Sequence, residues 1–226
     1  MAGPSTLILE TSTAHASLAL AGPREDVIER EFASDRSHQG CLFGPLAELL
    51  ESAMGGRLAQ VLVGSGPGSY SGTRVGIAAA QGVALARDCP AVAVPSLLAL
   101  PAAAAGAACL VIGDARRGGY WIAQVVACRL EQAPHLADAA GLAAAVSSTL
   151  EHGLEVVSVE DPARFPLPDE LTSRVLQQIP SAARLWHAWC RVDEATRAAW
   201  TAAIPQPIYL KPPHITPAKR PWWVPS

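Results

Sequence analysis

The segment from Val61 to Val94 limits the folds open to this chain more than any other. Val61-Leu62-Val63 is a short apolar run, and Gly64-Ser65-Gly66-Pro67-Gly68-Ser69-Tyr70-Ser71-Gly72-Thr73-Arg74 is a glycine-dense turn. An alanine-rich stretch then runs to Arg87, and Cys89-Pro90 leads into Ala91-Val92-Ala93-Val94. The pattern is strand, loop, helix, strand, the repeating unit of an α/β protein. Glycine at 64, 66, 68 and 72 lets the backbone take positive φ or approach another element closely. Thr73 is placed as the N-cap of the helix, with Arg74 at the mouth of the loop. From Val75 to Ala86 the one strongly polar residue is Gln81, and a helix without a polar face is buried on more than one side. The face near Val75, Ala79, Val83 and Ala86 is expected to cover a sheet. The opposite stripe, near Ile77, Ala80, Gln81 and Ala84, is smooth enough for a second helix to approach.

The loop supports two readings. A strand, a glycine-rich turn and a helix start form an anion site, because free N–H groups and the helix dipole face the ligand. The same glycines also suit a tight connection packed against a neighbour. It is not a P-loop, since Gly72-Thr73-Arg74 stands where Gly-Lys-Ser/Thr is required, and dinucleotide-binding spacing is absent.

Residues Gly66-Pro67-Gly68-Ser69-Tyr70-Ser71-Gly72-Thr73-Arg74-Val75-Gly76 resemble the Gly-Pro-Gly-Ser-Phe-Thr-Gly-x-Arg-x-Gly signature of the bacterial TsaB (YeaZ) family. Leu7–Thr13 is similar to that family's Ile-Leu-x-Ile-Asp-Thr-Ser/Ala-Thr opening, and Val94–Leu100 to its Val-Ser-Ser/Thr-Leu-x-x-Leu/Met. Asp114–Gly118 is similar to Asp-Ala-Arg-x-Gly-Glu-Val-Tyr, and Pro207–Lys211 to Pro-x-Tyr-Leu-Arg. The five islands fall in family order. The resemblance implies an actin-like ATPase fold of the ribonuclease H-like type, with two lobes that each carry a mixed, five-stranded-type sheet and helices. It also implies a role in making threonylcarbamoyladenosine beside the anticodon of tRNA, as a non-catalytic subunit that activates a sister transferase of the TsaD family. A regulatory ATPase of the TsaE family completes that set of partners. The implied surface is the pair of first-lobe helices (Leu42, Leu46, Ile77, Ala80, Gln81 and Ala84), shared with a second copy in an isolated homodimer. The glycoprotease label attached to such proteins has no Gly-x-Ser-x-Gly nucleophile elbow behind it here.

Bulk properties agree with that role. Net charge is −3 over 226 residues, so no basic field exists to hold nucleic acid unaided, and tRNA is expected only through the complex. Five cysteines without a CxxC pair suit reduced thiols of a cytoplasmic protein. Six scattered histidines offer no metal-ligand spacing, and no apolar run suggests a membrane span.

In chain order, Thr6–Glu10, Ala16–Ala21 and Val27–Phe32 read as three strands, the third half exposed. Leu42, Leu46, Leu49, Leu50 and Ala53 mark one face of a helix that Gly55-Gly56 stops, and Ser96 is placed as the cap of another. Residues 1–104 form the first lobe and 105–205 a second, smaller one, trimmed between Glu131 and Ala182. It opens with a hairpin, Cys109–Gly113 and Tyr120–Cys128, and continues with a helix at Ala137–Leu150, a strand at Leu154–Val159 and helical residues Ser181–Ala203. Residues 206–226 are a proline-rich tail whose Trp222-Trp223 pair is expected to dock on the chain's own body.

Actin-like ATPases hold phosphates on two acidic hairpins. Here these are Glu10-Thr11-Ser12 and Asp114-Ala115-Arg116, neither with a glycine after the acid, so both read as degenerate. The sister family's His-x-x-x-His metal pair aligns with Ser96–Leu100, which lacks histidine. No metal, and no cofactor bound by the isolated chain, is expected; ATP or ADP at the partner joint is left open. The competing reading is a small-molecule kinase or ATPase of the same fold. For the loop residues Gly66, Gly68, Ser69, Tyr70, Gly72, Thr73 and Arg74 the expectation is a structural role, or one facing a partner or nucleotide.

Overall fold

The computed structural model describes residues 3–22, 26–33, 38–52 and 57–210, with side chains from residue 41 in the third stretch. Gly55-Gly56 and the Trp222-Trp223 tail lie outside the described residues. Strands β1 (Ser5–Glu10), β2 (His15–Ala21) and β3 (Val27–Ala33) form an antiparallel meander, and helix α1 (His38–Ser52) leads to β4 (Leu58–Gly64). Helix α2 (Tyr70–Ala86) then connects to β5 (Ala91–Val94), giving a mixed sheet in the order β3-β2-β1-β4-β5 with β4 and β5 parallel to β1. A 3-10 turn at Ser96–Ala99 and the one-turn helix α3 (Pro101–Ala104) carry the chain across to a second sheet.

That sheet is built from β6 (Cys109–Asp114), β7 (Tyr120–Val126), β8 (Arg129–Leu130) and β9 (His135–Ala137). Helix α4 (Ala139–Glu151), strand β10 (Glu155–Ser158), the four-residue helix α5 (Asp169–Thr172) and β11 (Val175–Gln177) complete it. Its order, β11-β10-β6-β7-β8, repeats that of the first, again with two parallel strands beyond the opening hairpin. The trimming is localised by this match: where the first lobe has the seventeen-residue α2, the second has α5. Helices α6 (Ala182–Arg191) and α7 (Glu194–Ala202) close the described chain.

Alternation along the first sheet's strands sorts its side chains between two cores. Leu7, Leu9, Leu18, Leu20, Val61 and Val63 face α1 and α2. Ile8, Ala19 and Leu62 face the other way and meet Ala182, Leu185 and Trp189 of α6. Through Ala188 the same helix also reaches the second sheet, beside Leu97, Leu98 and Leu100 of the connecting turn. Helix α6 is therefore a wedge between the sheets. Its N-terminus is tied to the first sheet, the Ala182 amide donating to Ser17 Oγ at 2.8 Å and the Ala183 amide to Glu29 Oε1 at 3.0 Å.

The orientation of α2 corrects the sequence reading. Gly72, Thr73, Gly76, Ile77, Ala80 and Ala84 are the buried residues of this helix, whereas Ala78, Gln81, Gly82, Leu85 and Ala86 face solvent. Of the expected interface residues Ile77, Ala80 and Ala84 are thus core, as are Leu42 and Leu46 of α1, while Gln81 is exposed. Helix α2 starts at Tyr70, not after Thr73: the Ser69 hydroxyl accepts from the Gly72 amide, and Thr73 sits buried in the first turn. Ser96 caps no helix either; its hydroxyl accepts from the Gly66 amide at 3.0 Å.

The two faces are separable by experiment. Ala80→Arg places an unpaired charge in the core and is expected to cost about 3–5 kcal/mol, whereas Leu85→Arg on the open face should change stability by no more than about 0.5 kcal/mol. Denaturant unfolding of both variants checks the assignment; equal losses would mean that α2 is rotated from the orientation described.

Candidate functional site

The residues singled out in the first lobe converge on one place, the C-terminal ends of β1 and β4. Strand β1 delivers Glu10, Thr11 and Ser12 into the turn toward β2, and β4 delivers Gly64 and the loop that follows. Between them runs a row of glycines spaced by four: Gly64, Gly68, Gly72 and Gly76. A Cβ at Gly68 would overlap the Ser12 carbonyl oxygen, and one at Gly64 the Glu10 carboxyl; Thr11 blocks the other two positions in the same way. These glycines permit contact more than they permit a turn, since only Gly66 of the loop has positive φ, at 83°. The contact is fastened by the Ser69 amide donating to the Ser12 carbonyl at 2.6 Å and the Thr11 hydroxyl donating to the Gly72 carbonyl at 2.8 Å.

Glu10 is fully buried. Its Oε1 accepts from the Ser12 amide at 2.8 Å, so the acid closes its own hairpin. Burial pushes its carboxyl above the usual range, against the lowering effect of that bond. Among the described residues Oε2 and the Ser12 hydroxyl make no hydrogen bond of regular geometry, and a neutral carboxyl is far less costly there than a charged one.

Asp114, at the end of β6, repeats the geometry in the second sheet. Its Oδ1 accepts from the Arg116 amide at 2.6 Å, and Oδ2 lies 3.3 Å from Arg116 Nη1 and 3.8 Å from Arg164 Nη2. The Asp114 amide in turn donates to Glu160 Oε2 at 2.7 Å. Burial raises the Glu160 carboxyl, the Asp114 amide counters it, and the nearby Asp114 charge adds to the rise. Glu160, 46 residues along the chain, carries no sequence signal of its own.

In each hairpin the acid itself accepts from the backbone N–H two residues on, so that donor is not free to face an incoming phosphate. The aligned position of the metal pair does not fit a metal either. Leu97, Leu98, Ala99 and Leu100 are fully or almost fully buried and apolar, and Ser96 is bonded to the loop. Among the described residues no group of three or more His, Cys, Asp or Glu side chains is arranged to hold a metal ion.

At the rim, Arg74 lies with its guanidinium carbon 3.5 Å from the Tyr70 ring centroid and 5.3 Å from that of Tyr209. Its Nη2 donates to the Tyr209 hydroxyl at 3.0 Å. The sequence reading singled out Arg74 and, within the Pro207–Lys211 island, Tyr209, but not their contact across 135 residues.

Comparison with known proteins places the chain. The family model described as TsaD, tRNA N6-adenosine threonylcarbamoyltransferase, matches residues 32–165. A curated relative, the tRNA threonylcarbamoyladenosine biosynthesis protein TsaB of Haemophilus influenzae, is 37% identical over 100 residues, 43% of this chain and 42% of that protein. The match thus spans about two fifths of the relative's length. Among solved structures, YeaZ from Pseudomonas aeruginosa has a TM-score of 0.65 at 21% identity over 92% of this chain and 100% of its own. An uncharacterized protein similar to peptidase YEAZ, from the same organism, gives 0.63 at 22% identity with the same coverage. At those identities the likeness establishes the fold, actin-like and two-lobed. No helix among the described residues is long and apolar enough to cross a membrane.

Two outcomes follow from the packed hairpin. Gly68→Ala should cost about 1–3 kcal/mol by overpacking against Ser12, measurable by urea unfolding, while Gly82→Ala on the open face should cost nothing. Because the folded-state carboxyl of Glu10 is raised, the native chain holds its proton more tightly than the unfolded one. The contribution of Glu10 to stability is then fully present below the ordinary glutamate value of 4.5 and is lost as pH rises through the raised one. Glu10→Gln should flatten that fall in unfolding experiments between pH 4 and 7; an unchanged pH profile would show that Glu10 is not its source.

Proposed function

From the premise that this chain belongs to the TsaD family of tRNA N6-adenosine threonylcarbamoyltransferases, and stands with its TsaB (YeaZ) members, we propose that it is a non-catalytic partner subunit. It supports threonylcarbamoyl transfer to the adenosine beside the tRNA anticodon, carried out by a sister transferase of the same family. The observation behind this reading is that both acidic hairpins close on themselves, Glu10 on the Ser12 amide and Asp114 on the Arg116 amide. A chain that keeps the scaffold while its phosphate donors are engaged internally is suited to binding a partner. The kinase or ATPase alternative would need both hairpins to rearrange.

The surface that suits the sister subunit is the outer face of α2. Leu85 is 86% exposed and is preceded by Gly82, Gln81 and Ala78, with exposed Phe43 on the neighbouring α1. Apolar, small-residue faces of this kind let a partner helix approach closely. In isolation the same face serves a second copy, so homodimer and heterodimer compete. A regulatory ATPase of the TsaE family and the tRNA itself join through the complex.

Co-purification with the host's sister transferase, followed by assay of tRNA modification, tests the reading. The pair should modify tRNA and either subunit alone should not. Leu85→Arg should leave the chain folded and weaken association at least tenfold, the loss typical of an interface anchor. ATP turnover by the isolated chain that vanishes in Asp114→Ala would favour the alternative instead.

A further inference from the structure

Beyond α7 the chain does not wander off but crosses the glycine loop. The Ile208 amide donates to the Ser65 carbonyl at 2.9 Å, and the Ser65 amide donates to Val94 at 2.8 Å. Ser65 is therefore held on one side by β5 and on the other by this C-terminal segment. Leu210 packs on the second sheet's core, and Tyr209 between them turns outward, 52% exposed, to meet Arg74. Pro205 and Pro207 keep the segment extended. Two hydrogen bonds and one apolar contact thus fasten residues 208–210 across the first-lobe loop.

The contact fixes a side chain that would otherwise be among the most mobile. Arg74 has Tyr70 against one face and the Tyr209 hydroxyl on one Nη, and it belongs to none of the ion pairs among the described residues, which join Arg116 and Arg164 to Asp114 and Arg129 to Asp193. Its position continues the outer stripe of α2, four residues ahead of Ala78 and eleven ahead of Leu85. A guanidinium held in place, stacked on aromatics and without a carboxylate is a ready receptor for one, with little ordering entropy left to lose on binding. The net charge of −3 and the apolar stripe alongside favour a protein carboxylate over an RNA phosphate.

We infer that the segment 205–210 is a strap that presets Arg74 as the polar anchor of the partner face, and that the anchor takes a carboxylate of the sister subunit. The inference rests on the partner reading above, and the experiment separates the two. Full-length wild type, Tyr209→Ala, Tyr209→Phe, Arg74→Ala and Arg74→Lys are compared by hydrogen exchange over residues 65–76 and by titration with the sister transferase at two salt concentrations. Tyr209→Ala should exchange faster in this segment with an unchanged Tm and bind at least fivefold more weakly. Tyr209→Phe, which keeps the ring, should fall between. Arg74→Ala should bind more weakly and lose part of the salt dependence, and Arg74→Lys should recover only part of the affinity because it cannot stack and fork together. If the wild type binds no transferase, the partner reading fails; unchanged exchange in Tyr209→Ala then overturns the strap as well, and faster exchange upholds it. If the wild type binds but Tyr209→Ala and Arg74→Ala bind equally well, the anchor is overturned. Loss of tRNA binding by the complex with transferase affinity unaltered would also overturn it, assigning Arg74 to RNA.

Discussion

The fold of the first lobe hangs on the closeness of two backbones. The turn after β1 and the loop after β4 approach until no side-chain carbon fits between them, and four glycines at a spacing of four make that approach feasible. At such range the Ser69 amide pairs directly with the Ser12 carbonyl, and the Thr11 hydroxyl with the Gly72 carbonyl. Everything else in the neighbourhood is set by it: the start of α2 at Tyr70, the burial of Thr73, and the enclosure of the Glu10 carboxyl. A glycine-rich loop at a helix N-terminus is commonly read as a cradle for an anion. Here the hairpin occupies the position that an anion would take.

The second lobe reaches a similar end by different chemistry. Asp114 cannot be shielded by a glycine row, because β10, the parallel strand beside β6, is followed by Val159-Glu160. Charged neighbours compensate instead: Arg116 and Arg164 approach its carboxylate, and Glu160 accepts its amide. One lobe thus buries its acid, and that burial raises the Glu10 carboxyl; the other pairs its acid with arginines.

Much of this arrangement was legible in the residues. The hairpins, the parallel strand after the glycine loop and the helix over Ala139–Glu151 follow from period-two and period-3.6 patterns. The face of α2 was not legible, for a physical reason: when Gly76, Ala78, Ala80, Gly82 and Ala84 alternate with residues that are small or aliphatic but for Gln81, hydrophobicity has little directional component, and packing against Thr11 decides the rotation. Ser69 and Thr73 are equally good caps by type; the position of Ser12, from another strand, selects the first. Strands of two or three residues such as β8, β9 and β11 have no room for a periodic signal. Contacts such as Glu160 to Asp114 and Tyr209 to Arg74 leave no local trace.

The position of α6 has a consequence for how the chain is made. One face of the strand that holds Ile8 is covered by residues 182–189, and Ser17 is bonded to Ala182 across 165 positions. During synthesis the amino-terminal sheet must therefore wait, with that face bare, until almost the whole described chain has left the ribosome. Contacts this distant in sequence are slow to form, and an apolar face exposed meanwhile invites capture by chaperones or by other nascent chains. Strands β1 and β2, made well before α6, are among the last to be sealed.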